Sequence, residues 1–231
     1  MRRRKEPARD VHRLHHRESG RCADRQRKAV GGPMNSIVFF DLETGGLSPE
    51  SHPIIQLAAA AVDWRTLEVL DELEVKLLFD ESQCTEEALR INSYDAAVWR
   101  EQAIPSSDAA LAFADLLRAH AHVGCISARG KPYYVAQMAA YCADFDMSFL
   151  RAWFDRENQF LPAAFRPLCV MQRAQWHCLE SGERPADFKL TTVAEFFGLV
   201  TAGAHDASID NRRQIAIYRK LRAASRKEAV A

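Results

Sequence analysis

An α/β domain built on a mixed sheet is the fold class this sequence predicts, and three observations predict it. Short β-rich or apolar runs bounded by Gly, Ser and Pro come first, from Ser36 onward. Strands mixed with amphipathic helices follow. The chain of 231 residues, 48% apolar and 27% charged, is long enough for one sizeable core and ordinary for a soluble globular protein.

The elements can be justified in order. "SIVFFDLE" and "PIIQLAAAAVD" read as strands. "LEVLDELEVKLLF" continues with partial alternation, so a strand hairpin followed by a third strand is expected. "TEEALRINSYDAAVW" predicts a short helix and a loop. "SSDAALAFADLLRAHAH" predicts a helix with a Ser-Ser-Asp cap and apolar Leu111, Leu116 and Leu117 at helical spacing. "ARGKPYYVAQMAAY" is a turn leading into a buried strand, with Arg129-Gly130-Lys131-Pro132 as a solvated turn. "DMSFLRAWFDREN" predicts a helix whose Leu150, Trp153 and Phe154 share a face with Asp146. "KLTTVAEFFGL" is another, stopped near Gly198, and "DASIDNRRQIAIYRKLRAAS" is the last.

The formal charge of zero hides a division. Residues 1–33 carry eleven Lys/Arg against four Asp/Glu, a net +7, so the remaining 198 residues carry −7. A basic, aliphatic-poor segment buries too little apolar surface to offset its ordering entropy. Residues 1–33 are therefore expected to be a disordered extension ending at Gly31-Gly32-Pro33, and residues 34–231 the single folded domain. Met34, two residues before the first strand, is a sensible natural start. The six cysteines are scattered, with no CxxC pair and no zinc-ligand spacing, which reads as reduced thiols of a cytoplasmic protein. No apolar run approaches the ~20 residues of a membrane span.

The chemistry is concentrated at the end of the first strand. On a strand, residues i and i+2 point the same way, so Asp41 and Glu43 present two carboxylates to one side. Thr44-Gly45-Gly46 then lets the backbone turn and approach a ligand closely. A strand that surfaces in solvated acids is the plain alternative. A Walker B strand would need a G-x-x-x-x-G-K-[ST] loop, which the chain lacks. A phosphatase with an Asp nucleophile would want Asp, not Glu, at the second position. Further on, Asp146 opens an amphipathic helix directly after a buried strand, and His205 and Asp210 are separated by four residues, with Asp210 opening the last helix. Each of these alone reads as a helix cap or a surface residue.

Together and in this order, the set resembles the DEDDh-type 3′–5′ exonucleases of the proofreading superfamily, whose fold is ribonuclease H-like. The first motif is Asp41-Leu42-Glu43-Thr44-Gly45-Gly46-Leu47. The second is Phe145-Asp146 followed by Phe149-Leu150, and the third is His205-x4-Asp210, preceded by the helix "KLTTVAEFFGL". The resemblance spans Ser36 to Leu221. It implies a ribonuclease H-like mixed sheet flanked by helices, and a phosphodiester hydrolase releasing nucleoside 5′-monophosphates from 3′ ends.

Four carboxylates in one cleft repel one another, so such a site needs cations as part of its structure. Hard oxygen donors indicate Mg²⁺ or Mn²⁺. By resemblance, Asp41, Glu43, Asp146 and Asp210 hold two divalent ions, and His205 is the general base, a task suited to an imidazole. Thr44, Gly45, Gly46 and Leu47 are the expected contacts to the terminal nucleotide. The acidic core argues against a broad track for long nucleic acids, so a site gripping the last few nucleotides is expected. Single-stranded DNA is favoured, with RNA 3′-end trimming as the alternative. A catalytically silent nucleic-acid-binding module on the same fold is the rival from another class. A polymerase partner is not expected, since little chain follows the last helix, and the oligomeric state is left open. Two departures concern substrate contacts: Tyr141 and Cys142 stand where His-Asn is common in the family, with Asp144 an extra acid beside the motif, and Gln56 stands where an acid is frequent.

Overall fold

The computed structural model describes residues 36–203 and 205–228, so the extension expected over residues 1–33 lies outside the described residues. In chain order the strands are β1 (Ser36–Thr44), β2 (Ile54–Asp63), β3 (Val69–Lys76), β4 (Val123–Ile126), β5 (Pro132–Val135), β6 (Gln137–Ala140) and β7 (Leu168–Cys169). The α-helices are α1 (Glu86–Ile91), α2 (Ala96–Gln102), α3 (Ser106–Ala119), α4 (Ala143–Arg156), α5 (Val170–Ser181), α6 (Leu190–Phe196) and α7 (Ala207–Glu228). No helix among the described residues is long and apolar enough to cross a membrane.

β1 is central because it can be buried on both faces. The main sheet runs β3-β2-β1-β6-β7, with β1 antiparallel to β2 and parallel to β6. Val38, Phe40 and Leu42 point into a core shared with α3 and α4. Ile37 and Phe39 point into a second core shared with α5, α6 and α7. By alternation, Asp41 and Glu43 continue the Ile37/Phe39 face, toward α7. The expected mixed sheet flanked by helices is present, and its parallel pair β1–β6 sends α4 off beyond the end of β1 that carries the two acids.

Several local expectations change. The stretch expected as a loop before Trp99 contains α2, capped by Asp95, whose carboxylate accepts the Ala97 N–H at 2.8 Å. α3 begins after Pro105 with no side-chain cap, so Ser106, Ser107 and Asp108 form its first turn instead. Leu111 faces solvent, and Ala109, Ala110, Phe113 and Leu117 make the buried face with Leu116. The β4–β5 hairpin and α5 carry little signal. The hairpin strands are four residues each, and α5 starts straight from β7 without a capping side chain.

Candidate active site

The site begins where β1 leaves the sheet. Glu43 pairs with Gln56 on β2, and the ladder becomes irregular immediately after it, between Glu43 and Thr44. Asn92 fixes the exit by donating from Nδ2 to the Thr44 carbonyl at 2.9 Å. Gly45 N–H donates to the Pro53 carbonyl, and the Gly45 carbonyl accepts from Thr85, both at 2.8 Å. Thr44 Oγ1 donates to the Gly46 carbonyl at 2.7 Å.

Neither glycine has a positive φ. A Cβ on Gly45 would sit 2.5 Å from Cys84 Sγ and 2.9 Å from Pro53, and one on Gly46 would sit 2.5 Å from the His52 ring. Close packing of the chain on itself therefore already demands both glycines. Leu47, 84% exposed, projects into solvent beyond them.

The last helix closes the site from the other side. Gln214 is fully buried and donates from Nε2 to the Phe40 carbonyl at 2.8 Å, which docks α7 on β1. One turn earlier, Asp210 is carried over the acidic end of the strand. The carboxylates of Asp41, Glu43 and Asp210 each offer an oxygen, and these oxygens all lie within 4.8 Å of one another. Asp146, buried in the first turn of α4, is not one of this group of three, but its charge acts on both Asp41 and Glu43.

Burial and mutual repulsion hold protons on this cluster. Burial first, then the charges of Asp210, Asp206 and Asp146, push the Glu43 carboxyl up to about 8. Burial pushes Asp146 up to about 8. Asp41 is raised by burial and then by Asp146 and Glu43. Asp210 is raised by burial, opposed by the His205 N–H and by Arg213. Such a set of hard oxygen donors is unfavourable alone and suited to divalent cations.

His205 stands at the rim, exposed, in a left-handed conformation with φ 63°. Its backbone N–H donates to Asp210 Oδ2 at 3.0 Å, and its imidazole is not one of the three clustered donors. Thus Asp41, Glu43 and Asp210 are brought together, with Asp146 and His205 adjacent. Thr44, Gly45 and Gly46 shape the strand exit, and Leu47 points away from the protein.

Sequence reasoning missed four residues here. Asp206 is a fifth acid whose charge acts on Asp41, Glu43 and Asp210; Gln56 Nε2 donates to it at 3.4 Å. Arg213, Gln214 and Asn92 are buried polar residues that hold the site's parts in place. Asp206 had one signal, its place beside His205. The others read as ordinary solvent-facing residues, because nothing in a helix's polar residues says which will be buried. Tyr141 is also buried and donates its hydroxyl to the Phe188 carbonyl at 2.9 Å, so it supports packing. Cys142 is exposed just before α4. A groove of about 260 Å³ borders the site, lined among others by Gln56, Lys76, Trp99, His205 and Asp206.

Sequence comparison with protein-family models and with curated proteins finds no match. Comparison of structures finds exonuclease I. One solved exonuclease I structure is 18% identical over 82% of this chain, with a TM-score of 0.65. A zinc-bound complex of E. coli exonuclease I with single-stranded DNA is 19% identical over 81% of the chain, with a TM-score of 0.64. A product-bound exonuclease I is 16% identical over 82%, also at 0.64. This chain spans 41%, 40% and 44% of those proteins. At such identities the likeness is one of fold, and the fold is the ribonuclease H-like one of these exonucleases.

Proposed function

We propose that the protein is a metal-dependent 3′–5′ exonuclease of the DEDDh type, acting on single-stranded DNA ends from a domain spanning residues 34–231. The observation that carries this reading is the convergence of Asp41, Glu43 and Asp210 within 4.8 Å, with Asp146 buried beside them. A fold shared with proteins solved in complex with single-stranded DNA supports the substrate class.

The donor set fits two Mg²⁺ or Mn²⁺ ions: carboxylates only, buried or half-buried, with no sulfur ligand among the described residues, and protons retained until positive charge arrives. Asp41, Glu43, Asp146 and Asp210 would hold them. Bound there, divalent ions would supply positive charge for activating a water and stabilising a departing 3′-oxygen. The chain's own groups do the rest. His205, at the rim, removes the proton of the attacking water through its imidazole. The rigid exit Thr44-Gly45-Gly46 and the projecting Leu47 meet the terminal nucleotide. The acidic remainder of the domain limits contact to the last few nucleotides.

Matched end-labelled DNA and RNA oligonucleotides, single- and double-stranded, test the reading. Stepwise loss of nucleotides from the 3′ end of single-stranded DNA with Mg²⁺ or Mn²⁺, halted by a chelator, is the expected result. Faster trimming of RNA would move the assignment to an exoribonuclease, and intact substrate under every condition would leave a binding module.

A further inference from the structure

Arg213 is a buried cation that the reaction above does not use. It lies on α7 one turn after Asp210, and its guanidinium is spent in two directions. Nη1 donates to Asp210 Oδ1, and Nη2 donates to the Ala202 carbonyl at 3.1 Å. The same carboxylate accepts the His205 N–H on Oδ2 at 3.0 Å. Ala202, Arg213, Asp210 and His205 thus form one hydrogen-bonded chain that ties both ends of the turn before α7 to a single carboxylate.

Besides this hydrogen-bonded chain, the Ile209 side chain packs on Gly203, where an added Cβ would sit 2.7 Å from Ile209 Cδ1. Ala202, Gly203 and His205 are all exposed. Gly203 and His205 have φ of 76° and 63°, and a non-glycine residue occupies the left-handed region only where its surroundings fix it there. The planar guanidinium fork can serve two acceptors in fixed directions; an ammonium is a point charge. Arg213 Nε is buried without a partner among the described residues, a cost accepted where the fork is committed on its other side.

We infer that Arg213 is a positioning residue: it locks the His205 turn to Asp210 and so sets where the imidazole stands relative to the acidic cluster. The inference deepens the exonuclease reading and rests on it for its catalytic meaning.

Amide hydrogen exchange followed by NMR on the metal-free full chain tests the lock without any nuclease assay. In Arg213→Met, the His205 amide is expected to exchange at least tenfold faster than in the parent, while the Phe39 amide in β1 keeps its rate. Arg213→Lys retains the charge but not the fork, and is expected to speed His205 exchange as well, by less. Unchanged His205 exchange in either variant, or an equal rise at Phe39, overturns the inference, as does failure of both variants to fold. On a single-stranded oligonucleotide, Arg213→Met is expected to lower kcat tenfold or more with KM unchanged. An inactive parent protein would sink the exonuclease reading and leave the exchange result standing. A lock confirmed by exchange but with parental kcat would show that the turn's position does not set the rate, and would overturn the positioning role.

Discussion

Gln214 and Phe40 lie 174 positions apart in the chain, and the Gln214 side-chain amide donates to the Phe40 carbonyl at 2.8 Å. That bond fixes the last helix against the first strand one residue before Asp41. Asp210, one helical turn ahead of Gln214, then has to lie over Asp41 and Glu43. The acidic cluster is thus assembled by a neutral amide, buried and pointed at backbone, before any carboxylate interaction is counted. Repulsion among the acids is held in place by this docking and by the two apolar cores on either face of β1.

The cluster should make stability of the metal-free protein depend on pH in an unusual direction. Glu43 and Asp146 both titrate at about 8 in the folded chain, against ordinary values near 4.5 and 3.8. Between those limits the folded chain binds more protons than the unfolded one, so stability falls as pH rises from about 4 to about 8. With a chelator present, the melting temperature is expected to drop across that range. Saturating Mn²⁺ is expected to flatten or reverse the trend, because binding releases the retained protons. A flat metal-free profile would show that the carboxylates are ionised and already compensated.

Neutralising one acid separates its two roles. Asp146→Asn keeps size and shape while removing a charge that raises Asp41 and Glu43, and Asp41→Asn removes a carboxyl that its acidic neighbours raise. Each is expected to abolish 3′-end digestion and to raise the metal-free melting temperature at pH 8. Turnover at the parental rate in either variant would remove that residue from the metal-holding set.

The fold class, the three motifs and most of the elements were legible because they follow from local pattern. β1 announces itself as apolar on both faces, and Asp41 and Glu43 stand two apart on it. What was not legible is what depends on distant packing. Arg213 and Gln214 look like the solvent side of an amphipathic helix, and only the docking of α7 buries them. The two glycines after Glu43 suggested room for a ligand, yet their Cβ positions are filled by Cys84, Pro53 and His52, residues that no short-range pattern connects to them. Asp206 escaped for a different reason: as an acid just before a helix, it reads as a cap, and it does accept the Ile209 N–H at 3.1 Å.

His205→Ala is expected to reduce kcat by roughly 10² or more, the usual scale for loss of a general base. Its imidazole lies outside the three-carboxylate cluster, so Mn²⁺ affinity measured by calorimetry is expected to persist. A collapse of metal affinity would instead make His205 a ligand and leave the proton acceptor to be found elsewhere, with Asp206 next to it the first residue to replace.

Residues 1–33 give the last prediction. Two readings compete for a segment with net charge +7 ahead of a domain carrying −7. As an arm, it would hold nucleic acid near an acidic domain and add affinity that weakens steeply with salt. As upstream sequence, it would contribute nothing. The segment contains no aromatic residue to stack on bases, and its charges follow no helical spacing. β1 begins at Ser36, and its first residues are already fully engaged in the sheet and core. A polypeptide starting at Met34 is therefore expected to melt at the same temperature as the full chain and to digest single-stranded DNA with the same KM at physiological salt. A KM at least tenfold higher, with the gap closing as salt is raised, would establish the segment as a working electrostatic arm.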